Sequence, residues 1–291
     1  VALSRQKWLT MATYASTLTA VFLVLLKAAA WLLSGSVSIL ASFADSLIDL
    51  AASALNLIAV RVALKPADAN HTFGHGKAEG LSALAQSAFI GGSAVFLLLN
   101  AVHRLINPEQ VQYTGWGIGV MLISVAVTLA LVTFQRYVLR QTVSQAVEAD
   151  RLHYLSDILS NAVVLAALVM AAYGWHTADA WLALGLAVWM FKNAADIGKG
   201  AVNTLMDKTL SAETLNAIRQ AALSVNAVAG VHNLKTRQAG NTVFVQLHIS
   251  MDGAMSLETS HQAAKSVEDK IKALFEEADV IVHTDPVHTT L

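Results

Sequence analysis

The sequence predicts an α-helical polytopic membrane protein with six transmembrane helices, followed by a C-terminal α+β cytoplasmic domain of ferredoxin-like αββαβ type. Three observations lead there. Mean hydropathy is +0.54, with 55% hydrophobic and only 13% charged residues, about half the ~25% charge of an ordinary soluble domain. Six apolar runs each supply the roughly 20 helical residues that a bilayer core of about 30 Å requires. After residue 208 these runs stop and shorter, alternating segments begin.

The first run, Leu9 to Leu33, is too long for a signal-peptide core and lacks a small-residue cleavage pattern, so it is read as a retained span. Val37 to Leu64, Leu81 to Ile106, Gly115 to Leu139, Val147 to Ala172 and Ala178 to Ala201 follow it. Arg5, Lys7, Arg61, Lys65, Lys77, Arg136, Arg140, Arg151, Lys199 and Lys208 all fall at connections on one side, and only Arg104 lies near the other. By the positive-inside rule both termini are expected in the cytoplasm. Lys27, inside the first run, is expected to snorkel to the outer interface.

The domain boundary is drawn at residue 208. Residues 1–208 hold 13 Lys and Arg against 11 Asp and Glu, while residues 209–291 hold 6 against 9. The tail is therefore an acidic, soluble unit, which argues against a nucleic-acid partner. Ser211 is placed as the cap of a helix reaching about Ser224. Val231 to Gln238 and Thr242 to Met251 flank Ala239-Gly240-Asn241 as a hairpin. A second helix from Leu257 to about Glu277 and a strand from Asp279 to Asp285 complete αββαβ, an open sheet with helices on one face.

The chain has no cysteine, so disulfides and thiolate ligands are excluded and any metal must be held by imidazole and carboxylate. Ionisable residues inside spans are costly and are functional candidates by default. Asp45 and Asp49 in the second run and His153 and Asp157 in the fifth are each spaced i, i+4, which puts both members of a pair on one helical face about 6 Å apart. Two such faces together offer one imidazole and three carboxylates, a donor set for a four-coordinate ion such as Zn²⁺. Three carboxylates without a cation would repel one another, although paired aspartates could instead hold protons alone. Glu148, Asp150, Asp179 and Asp196, near span ends, are read as interfacial, and Gly91-Gly92 as close helix packing.

Two further groups lie outside the spans. Asp68, His71 and His75 in the loop after the second run could converge as three ligands or form an ordinary solvated turn. The tail carries five of the ten histidines: His232, His248, His261, His283 and His288. His283 and Asp285, at i, i+2, share a strand face, and His248 falls opposite Val245, Leu247 and Ile249. Ordinary surface histidines are the other reading of this group, and His288 is left out as terminal.

Asp-x3-Asp in the second run, His-x3-Asp in the fifth, the loop Asn70-His71-Thr72-Phe73-Gly74-His75-Gly76-Lys77 and the histidine-bearing αββαβ tail, in that order, resemble the cation diffusion facilitator family, in its bacterial zinc-transporting branch. The resemblance covers nearly the whole chain. It implies a homodimer of the bacterial inner membrane that exchanges cytoplasmic Zn²⁺ for external protons by alternating access, without chemical catalysis. It also implies a transport domain at 1–208 and a metal-binding dimerisation domain at 209–291. Asp45, Asp49, His153 and Asp157 would be the transport site, and Asp68, His71 and His75 a loop site. His232, His248, His261, His283 and Asp285 would hold two structural Zn²⁺ ions, with Asp285 bridging. Lys77 and Asp207 match charged positions that interlock subunits. Thr284 stands where the family pattern leads one to expect glutamine.

The exchange is expected from competition at shared ligands: a neutral imidazole binds metal and a protonated one does not, and an unperturbed histidine titrates near ~6.5. Imidazole and carboxylate also admit Cd²⁺ or Fe²⁺. Three alternatives frame this reading. A metal-responsive membrane sensor would bind without transporting. A membrane haem protein would use His103, His153 and His176, and a metalloprotease is disfavoured because no His-Glu-x-x-His occurs.

Overall fold

A computed structural model describes residues 4–106, 115–173, 175 and 177–287. Six long helices come first: α1 (Arg5–Ser34), α2 (Val37–Ala63), α3 (Ala78–Ile106), α4 (Gly115–Gln141), α5 (Gln145–Ala172) and α6 (Ala178–Leu205). By length and composition α1, α3, residues Ile39–Ala63 of α2 and residues Ile118–Gln141 of α4 could each cross a membrane. The other two helices, at 28 residues each, would reach about 42 Å, and they are the ones with more charged and histidine side chains along their length. In α5 these are Glu148, Asp150, Arg151, His153 and Asp157.

Small side chains set the packing in this unit. The buried positions of α1 include Ala12, Thr13, Ser16, Ala20 and Ala30, whereas Leu18, Leu25 and Leu32 are exposed at seven-residue intervals, an outward apolar stripe suited to lipid. Apolar burial drives little association between helices in lipid, so close approach of small residues and polar contacts must hold them. Helix α6 lies on α3 through Leu186, Met190 and Ala194 against Ile90 and Ala94. Gly91 sits in that seam, where a Cβ would meet the Ala194 Cβ at 3.7 Å, but Gly92 faces open space. Of the glycine pair, only the first serves packing.

The chain divides into two units, residues 1–74 with 78–202 and residues 75–77 with 203–291. In the second, α7 (Ala212–Leu223), β1 (Gly230–Ala239), β2 (Thr242–Asp252), α8 (Leu257–Lys272) and β3 (Ala278–Val287) follow the expected order. Ser211 and Ser256 cap the two helices by accepting hydrogen bonds from the backbone N–H of Thr214 and Thr259 at 3.2 Å, satisfying one orphan donor each. Helix α8 stops at Lys272, five residues earlier than the apolar pattern suggested. Leu274 and Phe275 close turns back onto Ile271 and Lys272, and the Phe275 ring packs on the core.

The sheet has order β1-β2-β3, antiparallel on one side and parallel on the other. Strand β2 is central, and its alternate residues Val243, Val245, Leu247, Ile249 and Met251 are buried against Ile218 and Ala222 of α7 and Ala263, Val267 and Ile271 of α8. Both helices thus cover one face, and the other face keeps Gln246 and His248 accessible. Gly240 turns the hairpin at φ 61°, a left-handed conformation that costs glycine little. A Cβ on Gly76 would sit 2.4 Å from the Ala239 carbonyl oxygen. Only glycine allows this backbone-on-backbone contact.

Candidate metal centre

The site in the membrane unit is built around buried His153, where α2 and α5 meet. His153 Nε2 lies 3.1 Å from Asp49 Oδ1 and 4.0 Å from Asp157 Oδ2, and one donor atom from each of the three falls within 4.8 Å of the others. In a tetrahedral site, bonds of about 2.0–2.2 Å put donor atoms about 3.4 Å apart. The observed spacings bracket that value. Asp45, one turn before Asp49 on the same face of α2, lies outside this trio.

A polar ladder continues the α2–α5 contact beyond His153. The Tyr154 hydroxyl is 2.7 Å from Ser53 Oγ and donates to the Ser16 carbonyl at 3.4 Å, and Ser16 Oγ donates to Ser53 Oγ at 3.1 Å. Gln86 of α3 donates to the Ala52 carbonyl at 3.3 Å and to Asp150 Oδ1 at 3.4 Å, while Gln135 of α4 donates to Asp150 Oδ2 at 2.7 Å. Asp150, Tyr154, Gln86 and Gln135 have essentially no exposed surface.

The interfacial reading of Asp150 is therefore wrong: it is a buried group tying three helices together one turn from His153. The sequence did carry the signal. Asp150, His153, Tyr154 and Asp157 fall at i, i+3, i+4 and i+7, one continuous helical face. Gln86 and Gln135 interrupt otherwise apolar runs. Other charges pair near helix ends: Arg104 with Asp179, and Arg151 with Glu148 at 2.7 Å.

The Lys27 ammonium donates to the Ser42 carbonyl at 3.2 Å and to Ser46 Oγ at 2.7 Å, both on α2. His103 is exposed near the end of α3, and His176 and His288 lie outside the described residues.

In the loop after α2, Asp68 Oδ1 accepts from the backbone N–H of Asn70 and His71 at 2.9 and 2.8 Å, an Asx-type turn that such side chains favour. His71 Nδ1 is 3.5 Å from the same carboxylate. Proximity in sequence accounts for this contact.

The tail group arises from strand register. His232 of β1 pairs directly with His248 of β2, and His248 with His283 of β3, so three imidazoles line up across the accessible face. A β-bulge between His232 and Lys235, with Asn233 at φ 48°, adds one residue to β1 and shifts its register there. Without it His232 could not keep its partner while the rest of β1 pairs as observed. Asp285 Oδ2 lies 3.0 Å from His232 Nε2 and 2.9 Å from His248 Nδ1, and Oδ1 lies 3.2 Å from His283 Nε2. Hydrogen bonding from His248, with the neighbouring His283 and His232 adding to it, holds the Asp285 carboxyl below the usual carboxylate range. His261 stands on an exposed face of α8, outside the trio of His232, His248 and Asp285.

Lys77 and Asp207 pair within one chain: Lys77 Nζ is 3.0 Å from Asp207 Oδ1 and donates to the Leu205 carbonyl at 3.2 Å, while Arg237 lies 3.5 Å from the other carboxylate oxygen.

Residues 13–206 match the family model described as the cation efflux transmembrane domain, and residues 210–287 match that of the cation efflux protein, cytoplasmic domain. The cation-efflux pump FieF of Klebsiella pneumoniae is 49% identical over 94% of this chain and 92% of its own length. That of Citrobacter koseri matches at the same identity and coverage. Among solved structures, a nickel form of the MamM CTD matches 26% of this chain and 98% of its own, at 22% identity and a TM-score of 0.25. The protein is a member of the cation efflux family.

Proposed function

We propose that this chain is a divalent metal cation/proton antiporter that exports Zn²⁺ from the cytoplasm, with Cd²⁺ or Fe²⁺ as alternative substrates. The observation that carries this reading is the convergence of Asp49, His153 and Asp157 from two helices. One nitrogen and carboxylate oxygens suit a borderline ion. Asp45 supplies the fourth ligand when the ion draws α2 and α5 together. Metal and protons compete for these groups, because each ligand must give up its proton to coordinate. Protons entering from outside displace the ion there, and their loss to the cytoplasm restores the site.

The wider arrangement follows from the same reading. Residues 1–208 form a six-span transport domain in the bacterial inner membrane with both termini cytoplasmic, and residues 209–291 form the metal-binding dimerisation domain. Asp68, His71 and His75 form an accessory loop site. His232, His248, His283 and Asp285 have the donor chemistry to hold structural Zn²⁺, with His261 joining when the ions bind. Such ions would strengthen the homodimer when cytoplasmic metal is high.

Zinc flux into proteoliposomes under an imposed pH gradient tests the transport reading. Uptake that rises with the gradient and is lost in Asp157→Ala supports it. Flux indifferent to the gradient or unchanged by that substitution refutes exchange at this site, and metal binding without flux would favour a sensor.

A further inference from the structure

Lys27 is the one membrane-domain cation whose described contacts place it beside the metal-site face. Ser42, Asp45, Ser46 and Asp49 fall at i, i+3, i+4 and i+7 along α2, a single stripe. The ammonium is anchored on that stripe by Ser42 and Ser46, the second of which directly follows Asp45 in the chain. It makes no ion pair within 4.0 Å among the described residues, so it stands near the carboxylates without occupying a ligand position. An ammonium has three N–H donors and no acceptor. Two are given to α2, and they hold the charge at a fixed place in low dielectric, where it is screened far less than at a surface.

The geometry points to Lys27 as the built-in counter-charge of the metal site. This rests on the transport reading above and specifies how that site is tuned. With no metal bound, Asp45, Asp49 and Asp157 repel one another, and the fixed positive charge offsets part of that repulsion. With a dication bound, the same charge opposes it. Lys27 therefore stabilises the empty site and destabilises the loaded one. The consequence is weaker binding and faster release, which a carrier needs on the side where it unloads. Lysine suits this role better than a ligand would, because its ammonium cannot coordinate metal while it stays protonated.

The test is the zinc-concentration dependence of flux by the full chain in proteoliposomes. Lys27→Met removes the charge at similar length, Lys27→Gln removes it while keeping hydrogen-bond donors, and Lys27→Arg retains it. We expect both neutral variants to lower KM on the order of tenfold, as loss of one nearby unit charge at an effective dielectric of about 20 implies, and to lower kcat as release slows. Lys27→Arg should return KM toward wild type. A purely structural role would lower kcat without tightening binding, so an unchanged or raised KM in Lys27→Gln overturns the assignment. Should Lys27→Met not fold, Lys27→Gln decides alone. If the wild type transports normally while the neutral variants keep its KM, only this assignment falls. No flux in the wild type overturns the transport reading and this one with it.

Discussion

Two of the imidazole–carboxylate groups draw on residues far apart in sequence, by opposite means, and the contrast shows what each site can do. In the membrane unit, donors come from two helices and gather around buried His153 beside a polar ladder. In the tail, they come from cross-strand register on an accessible sheet face, with Asp285 receiving three histidines. A helical pair can separate from its partner when helices move, so a site split between α2 and α5 can be made and unmade. Strands joined by a hydrogen-bonded ladder cannot part without unfolding. The first arrangement suits a transported ion and the second a resident one.

The largest expected effect breaks the first arrangement. Asp49→Ala removes the α2 carboxylate that faces His153 at 3.1 Å. Flux should fall by at least about 100-fold, beyond the ~10–100-fold that loss of an outer partner of a metal ligand typically costs. Elemental analysis of the purified variant should show loss of the intramembrane ion while tail metal remains. If tail and membrane metal were lost together, the two sites would not be independent.

Leu247→Ala attacks the scaffold of the second arrangement. Leu247 is buried on the central strand next to His248, and large-to-small changes at such positions cost about 2–5 kcal/mol. Hydrogen exchange in the full chain should show faster opening of β1, β2 and β3, and tail metal should bind more weakly because the three imidazoles are positioned by those strands. Helices α1–α6 should keep their protection.

Tyr154→Phe probes the ladder that steadies the first site. It leaves the aromatic ring but removes one of two hydrogen-bond partners of buried Ser53, which keeps Ser16, a loss of about 1 kcal/mol for one hydrogen bond. Zinc KM should rise more than thermal stability falls, since Tyr154 adjoins His153 and aligns α5 with α2. An equal loss in Ala52→Gly, away from the hydroxyl, would mark the effect as general loosening.

How much of this was legible in advance follows from the physics of each element. The helices were, because about 20 apolar residues leave the backbone few alternatives in lipid. The strands were, through alternation in β2. The i, i+4 spacing announced the shared face of His153 and Asp157, while of the α2 pair only Asp49 joins them and Asp45 stays outside the trio. The His232–His248–His283 row was not, because it depends on a bulge at Asn233 that no local pattern requires. Asp150 was misplaced because its nearness to a span end outweighed its helical spacing from His153 and Asp157, and because its partners Gln86 and Gln135 come from α3 and α4, which no spacing within α5 reveals.

The smallest effect sharpens the contrast through pH. Asp285 has a folded-state carboxyl below the usual range, against an unfolded reference near ~3.9. A depressed carboxyl stabilises the folded state fully above the unfolded value, and the contribution is lost as pH falls through the folded one. With chelator present to remove metal, hydrogen exchange at β3 should therefore accelerate as the pH falls below about 4, relative to the intrinsic rate. In Asp285→Asn that acid limb should flatten, because the amide has no proton to gain. The carboxyl is well exposed to solvent, so the change should be modest and should shrink at high salt. Added Zn²⁺ should slow β3 exchange at neutral pH in the wild type and much less in Asp285→Asn, since the same carboxylate that receives the histidines is the one that would bridge them to metal. Slowing of equal size in both chains would remove Asp285 from the tail site and leave the imidazole row as its only ligands.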